Sequence, residues 1–463
     1  MKKKKKVVLI IIVTCIVLGF VINIFPYISI FIKGLTYSEP ENDVLSFENL
    51  NDTTFITNEY SGATKLTIKN SQINDLGFMK LNGLNDVTFE NCTYTGEPVE
   101  INQYYTDMIF NCCEADFINS FRNIEVNNLL FSRTETEDLT EIASNFKNVN
   151  FLGLHLCTIK SMNGIQDFTS LKELVLYGIY SNDISLIENV TSLDALSMRY
   201  LIADDISFIK NMNISSLVLD NLHRLGNLDF ITEMNSLSKI EIFGCEMACT
   251  EKLNSHLNEL KNNTSYEINF DENSVETQRK IRNLSKEIVN NGMSNYEKVH
   301  AVVSYVCDLI SYDMNIAMYQ VYGEIDENTN KDSVKESTSQ YDKFGLENAL
   351  NGVGMCLNYT EITTALLNEI GINTYSIAGA NHIWNLVEID DKYLWIDVTA
   401  IDCNFEAYES IDKNPMYLAP ITDPIFISNN YLFNIPPQIY DDANYAFSLL
   451  KEHAKEKEEN SVL

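Results

Sequence analysis

Leu171-Lys172-Glu173-Leu174-Val175-Leu176 is the stretch on which the fold of the first half of this chain turns. Its leucines occupy the first, fourth and sixth places. The last of them belongs to a column that runs Phe47, Ile68, Phe89, Phe110, Phe131, Leu154, Leu176, Met198, Leu219, Ile242, in steps of 21 to 23 residues. A second column stands two residues earlier: Leu45, Leu66, Val87, Met108, Leu129, Leu152, Leu174, Leu196, Leu217, Ile240. A third stands three before that, with Leu84, Val126, Val149, Leu171, Leu193, Ile214 and Leu237, and with Ala63 and Tyr105 as weaker members. Alternation at period two needs a short strand, and a fixed longer period needs one coil stacked on the next. The opposite side has its own apolar spacing at Ile184/Ile187, Ile206/Ile209 and Leu228/Ile231.

The pattern L-x-x-L-x-L at a period near 22 resembles the leucine-rich repeat, in the short form found in bacterial surface proteins such as the internalins. The resemblance implies a solenoid of parallel strands over residues 40–265 that binds a protein or cell-wall partner. Cys92, Cys113, Cys157 and Cys245 fall three residues after the last strand position, where the repeat takes Asn or Cys, and read as buried structural thiols. Cys92 and Cys113 occupy matching places on successive coils, which leaves a disulfide between them open. Cys245 and Cys249 are spaced C-x3-C, but no second Cys/His pair completes a zinc site. His155, His223, His256, His300 and His453 are scattered and lack metal-ligand spacing to one another.

Three stretches further on carry chemistry. They are Gly352-Val353-Gly354-Met355-Cys356-Leu357-Asn358-Tyr359, Asn381-His382-Ile383-Trp384-Asn385 and Tyr393-Leu394-Trp395-Ile396-Asp397-Val398-Thr399. A thiol, an imidazole and a carboxylate are what acyl transfer through a thioester requires. Gly352 and Gly354 permit a tight turn before Cys356, and Glu361 to Ile370 reads as a helix stopped by Gly371, so Cys356 is expected at a helix N-terminus. There the helix dipole and free N–H groups favour a thiolate and an oxyanion. Ile383 to Ile389, a turn at Asp390-Asp391, and Tyr393 to Asp397 read as a hairpin that sets His382 beside Asp397. Trp384 and Trp395 read as core or pocket wall.

These runs resemble the Cys helix, His strand and Asp strand of the transglutaminase-like superfamily, which has a papain-like α+β fold. Tyr296 to Asp313, ending Ile310-Ser311-Tyr312-Asp313, is similar to that family's leading helix. The resemblance spans about residues 275–405 and implies Cys356 as nucleophile, His382 as base and Asp397 as orienter. Val398 stands where the family often has Pro. A calcium-loop pattern of the D-x-D-x-D-G kind is absent from the sequence, so no cofactor and no metal are expected.

The N-terminal segment reads as a membrane anchor. Lys2 to Lys6 form a basic flank, and Val7 to Phe25 is an uncharged apolar run of 19 residues, long enough to cross a bilayer at ~1.5 Å per residue. Apolar residues resume after Pro26 through Ile32. The basic flank stays inside and later residues face outward. Beyond Lys33 the chain carries 27 basic against 65 acidic residues. Such a surface repels nucleic acid and anionic headgroups.

The expected organisation is multidomain: a cytoplasmic flank at 1–6, a transmembrane helix at 7–32, a leucine-rich repeat solenoid at 40–265, an α+β transglutaminase-like domain at 270–445, and a charged tail at 446–463. Helices are expected over 276–292 and 295–310, a polar loop over Glu324 to Ser339, and sheet-completing segments within 406–445. Two functions follow. One is a membrane-anchored extracellular thiol enzyme acting on amide bonds of a protein or cell-wall peptide. The other is a non-enzymatic surface adhesin in which the repeats carry the function.

Overall fold

The computed structural model describes residues 44–56, 62–179, 181–222, 224–313, 345–378, 382–403 and 410–421. The basic flank, the apolar segment 7–32, the polar loop from Glu324 to Ser339 and the charged tail lie outside these residues. Among the described residues no helix is long and apolar enough to cross a membrane. The chain divides into two compact units, one built on residues 37–242 and 252–270, the other on 243–251 and 271 onward.

The first unit is a parallel-strand solenoid. Its strands follow one another in sequence order across a single sheet, from Val44–Glu48 to Glu267–Phe270. The ladder register reproduces the apolar columns: Leu152 pairs with Leu174, Leu174 with Leu196 and Leu196 with Leu217, while Leu154, Leu176, Met198 and Leu219 pair in the same way. Both columns are buried from coil two onward. Each fully buried Leu, Ile or Phe contributes about 1.5–3 kcal/mol of transfer free energy, which is why stacking rather than any single coil holds the array together. In the early coils the column is aromatic. Phe89 stacks on Phe110 at 5.5 Å and Phe110 on Phe131 at 5.6 Å, with Phe117, Phe121 and Phe146 packed edge-on or tilted around them. Short 3-10 turns such as Ser207–Asn211 and Asp229–Glu233 form the other side and bury Ile209 and Ile231.

A residue just after the strand in each coil adopts a left-handed conformation: Asn49, Asn70, Asn91, Cys112, Arg133, Leu156, Gly178, Tyr200, Asn221 and Gly244. This backbone turn ends every strand, and Asn or Gly suits it best. One residue later stand the repeat cysteines and their equivalents. Cys92 Sγ donates to Ile68 O at 3.3 Å, Cys113 Sγ to Phe89 O at 3.7 Å and Cys157 Sγ to Phe131 O at 3.5 Å. Each thiol thus ties one coil to the preceding one. Cys92 and Cys113 are free thiols, so no disulfide joins their coils. The array also extends one strand beyond the column ending at Ile242, because Ile242 pairs with Phe270 and Ile240 with Ile268. The helix Glu251–Lys261 lies between them and lengthens that step.

The second unit is α+β. Its helices are α1 (Ser274–Ile288), α2 (Asn295–Leu309), α3 (Gly345–Leu350), α4 (Cys356–Glu369) and α5 (Val398–Cys403). The expected helix over 276–292 therefore ends earlier, before Asn290-Asn291-Gly292, whose turn-forming side chains compete with helical hydrogen bonding. A Ser294/Glu297 capping box starts α2. The strands β1 (Thr374–Ala378), β2 (Ile383–Ile389), β3 (Lys392–Ile396) and β4 (Ala419–Pro420) form an antiparallel meander in sequence order. Asp390 and Asp391 both have positive φ, the signature of a type I′ two-residue hairpin turn. Val302, Val303 and Val306 of α2, Ile362 and Leu366 of α4, and Val387, Ile389 and Ile396 of the hairpin share one core.

Candidate active site

The turn before Cys356 is built from backbone. Gly352 has φ of +83°. Val353–Gly354 pairs in parallel with Ser311–Tyr312, so the residues that end the leading helix hold the strand that delivers the cysteine. Asn358 then stitches the first turn of α4. Its Oδ1 accepts from Met355 N–H at 2.8 Å and its Nδ2 donates to Gly345 O at 3.0 Å, with Asn358 itself fully buried. A Cβ at Gly354 would stand 2.5 Å from Asn358 Cβ, so only glycine fits beside it. Cys356 is the first residue of α4, half-buried and unpaired by disulfide. The first N–H groups of a helix have no intrahelical partner and point at whatever binds beyond the N-terminus.

The helix is fixed to the sheet by polar contacts. Thr360 Oγ1 donates to Ile383 O at 3.1 Å. Asn385 Nδ2 donates to Thr360 O at 3.0 Å and to Thr364 Oγ1 at 2.8 Å, and Thr364 meets Ser376 at 2.9 Å. These groups are buried, so the bonds they make fix one docking of α4 on β2.

His382 lies immediately before β2 and Asp397 immediately after β3. The register pairs Asn385 with Ile396, so His382 and Asp397 are diagonal neighbours on one face. His382 Nε2 and Asp397 Oδ2 are 2.7 Å apart, and the two side chains are only 12% and 8% exposed. The other carboxylate oxygen, Oδ1, accepts from Ala400 N–H at 3.0 Å. Asp397 is thereby the cap of α5 as well as the partner of the imidazole. Burial pushes the His382 imidazole down, but the Asp397 charge and hydrogen bond, with a hydrogen bond to Cys356, outweigh it and hold the cation well above its ordinary range. With Nε2 committed to Asp397, the remaining ring nitrogen, Nδ1, is the one left for the thiol.

Trp384 stacks on His382, with centroids 5.8 Å apart and planes at 27°, and Trp395 meets Trp384 edge-on at 6.1 Å. Trp395 Nε1 donates to Ile421 O at 2.9 Å. The two tryptophans form the wall behind the imidazole. The structure thus brings Cys356, His382 and Asp397 together. Asn358 and Trp384 support them, Asn358 by holding the turn and Trp384 by limiting how far the ring can swing. Their spacing to Cys356 and His382 is visible in the sequence, but their contacts are not. Among the described residues, no group of three or more His, Cys, Asp or Glu side chains has the arrangement to hold a metal ion.

The molecule therefore combines a parallel-strand repeat solenoid with a separate α+β unit that assembles a thiol, an imidazole and a carboxylate. No family model matches the chain, and no curated protein does. Among solved structures it is similar to an internalin C2 from Listeria monocytogenes str. 4b F2365, at 17% identity and a TM-score of 0.27, over 42% of this chain and 76% of that one.

Proposed function

We propose that the chain is a membrane-anchored, outward-facing thiol enzyme of the transglutaminase-like class that acts on amide bonds. The observation that carries this reading is His382 held between the Asp397 carboxylate, at 2.7 Å, and Cys356 at the head of α4. The imidazole takes the thiol proton, and Asp397 stabilises the resulting cation. The Cys356 thiolate attacks the carbonyl carbon of a Gln side chain or a peptide bond. N–H groups at the head of α4 meet the developing oxyanion. His382 returns the proton to the leaving amine, and a thioester remains. Water resolves it to an acid, giving hydrolysis or deamidation, while a Lys amine resolves it to an isopeptide. In this reading the solenoid binds a protein or cell-wall partner and keeps the thiol unit near it.

The test uses the full-length chain with a glutamine-rich protein substrate and a fluorescent primary amine, following amine incorporation and ammonia release together. Activity in either channel that disappears in Cys356→Ala supports the proposal. Equal signals from the variant and the wild type would remove Cys356 from the chemistry and leave the repeats as the functional part, as in a surface adhesin.

A further inference from the structure

The fully buried Tyr359 hydroxyl is 2.9 Å from the Ile310 carbonyl oxygen and 2.7 Å from Asp402 Oδ2. A phenol has one proton to donate, a carbonyl only accepts, and an ionised carboxylate only accepts. With Asp402 ionised, one of these two contacts is an approach of lone pairs at hydrogen-bond distance. With Asp402 protonated both are hydrogen bonds: Tyr359 donates to Ile310 O, and Asp402 donates to Tyr359. We propose that Asp402 keeps its proton at neutral pH and that the chain Asp402–Tyr359–Ile310 is a latch that positions the Cys356 helix against the element carrying Asp397. The proposal rests on the catalytic reading above for its consequence, though not for the proton itself.

The three residues sit where a latch has leverage. Tyr359 is three residues past Cys356 on α4. Asp402 is on α5, whose first turn is capped by Asp397 through Ala400 N–H. Ile310 ends α2 and leads into the Ser311–Tyr312 segment, which pairs with Val353–Gly354 just ahead of Cys356. The surroundings favour the neutral acid. Burial pushes the Asp402 carboxyl above the usual carboxylate range and outweighs the opposing hydrogen bond with Tyr359, and Asp308 on α2 adds to the rise. The other titratable groups facing it are Tyr359 on α4, Cys307 on α2 and Cys403 beside it on α5. Burial raises the Cys307 thiol to about 12, so it supplies no charge at neutral pH, and Cys403 is exposed to solvent. Tyr359 and Asp402 are positioning residues, because neither is placed to touch substrate.

The test compares full-length wild type with Asp402→Asn, Asp402→Ala and Tyr359→Phe. Infrared difference spectra, wild type minus Asp402→Asn at pH 7, are expected to contain a protonated-carboxyl C=O band that shifts on deuterium exchange. Labelling of Cys356 by a limiting electrophile is then followed from pH 6 to 9. Asp402→Asn keeps a neutral donor to Tyr359 and should label at the wild-type rate. Asp402→Ala and Tyr359→Phe should label about tenfold more slowly, the effect of losing roughly one net hydrogen bond. The His382-dependent part of wild-type labelling should decline as Asp402 ionises at higher pH, and Asp402→Asn should abolish that decline. Absence of the carboxyl band overturns the proposal, and so do unchanged rates in Asp402→Ala and Tyr359→Phe while labelling still depends on His382. Labelling indifferent to His382 in the wild type would instead remove the catalytic reading, and the infrared band would still decide the proton. Should Tyr359→Phe not fold, the Asn and Ala variants at 402 carry the comparison.

Discussion

Replacing Asp397 with Asn changes one atom and separates the two tasks of this carboxylate. In the wild type Oδ2 accepts from His382 Nε2–H at 2.7 Å and Oδ1 accepts from Ala400 N–H at 3.0 Å. An amide has a single acceptor oxygen. Asn caps helices as well as Asp does, so its oxygen remains on Ala400 N–H. Its NH2 then faces Nε2, and the imidazole must accept there and carry its proton on Nδ1, toward Cys356. A charge-assisted bond of about 1.5–3 kcal/mol is exchanged for a neutral one of about 0.5–1.5 kcal/mol, so the second unit loses roughly 1–2 kcal/mol in acid. The pH dependence has a definite sign. The folded His382 binds its proton more tightly than the unfolded residue, whose reference value is 6.5. Its stabilising contribution is therefore complete below pH 6.5 and is lost as pH rises through the folded value. The gap between wild type and Asp397→Asn should be widest between about pH 5 and 6.5 and close in alkali. Urea unfolding at a series of pH values measures it. Because the tautomer is wrong for taking the thiol proton, Cys356 labelling at pH 6 should fall by at least about tenfold. A stability gap that does not vary with pH, together with unchanged labelling, would refute this account of the dyad.

Three further outcomes are expected. Gly354→Ala sets a methyl 2.5 Å from Asn358 Cβ, so the first turn of α4 must shift, and thermal or urea unfolding should show a loss of about 1–3 kcal/mol together with suppressed Cys356 labelling. Burial raises the Cys113 thiol to about 12 and the Cys157 thiol to about 11. Both should therefore stay unlabelled in the native protein up to pH 9 by site-resolved mass spectrometry, while Cys356 reacts. Leu156 holds a left-handed backbone at φ +54°, at a cost of about 1–2 kcal/mol for an ordinary side chain. Leu156→Asn should stabilise the solenoid by roughly 0.5 kcal/mol or more in urea unfolding, and a loss of stability would show that Leu156 packing outweighs the backbone.

What was legible in the sequence is what repeats or alternates. The columns through Leu174 and Leu176 are the ladder of the solenoid, because every coil buries the same two positions. The left-handed position after each strand is not legible, since Asn91, Cys112, Arg133, Leu156 and Tyr200 share a backbone conformation and no side-chain chemistry. The last coil is hidden in the sequence because the helix Glu251–Lys261 breaks the period before Ile268 and Phe270. At the site, the order Cys356, His382, Asp397 and the hairpin were readable from motif and alternation. The place of Cys356 at a helix N-terminus was readable too, from the turn glycines and the helical run after it, although Cys356 to Thr360 lacks an apolar stripe and is held by Asn358. The contact of Tyr359 with Asp402 joins residues 43 apart, which no local pattern encodes.

The central claim is that Cys356 and His382 form one chemical unit. Its most direct test is limiting-electrophile labelling of the full-length chain at pH 6, read at every cysteine by mass spectrometry, for wild type and His382→Ala. The account predicts selective modification of Cys356 that drops sharply in the variant, with Cys113 and Cys157 silent in both. Labelling of Cys356 no faster than that of the repeat thiols, and unchanged in the variant, would contradict it.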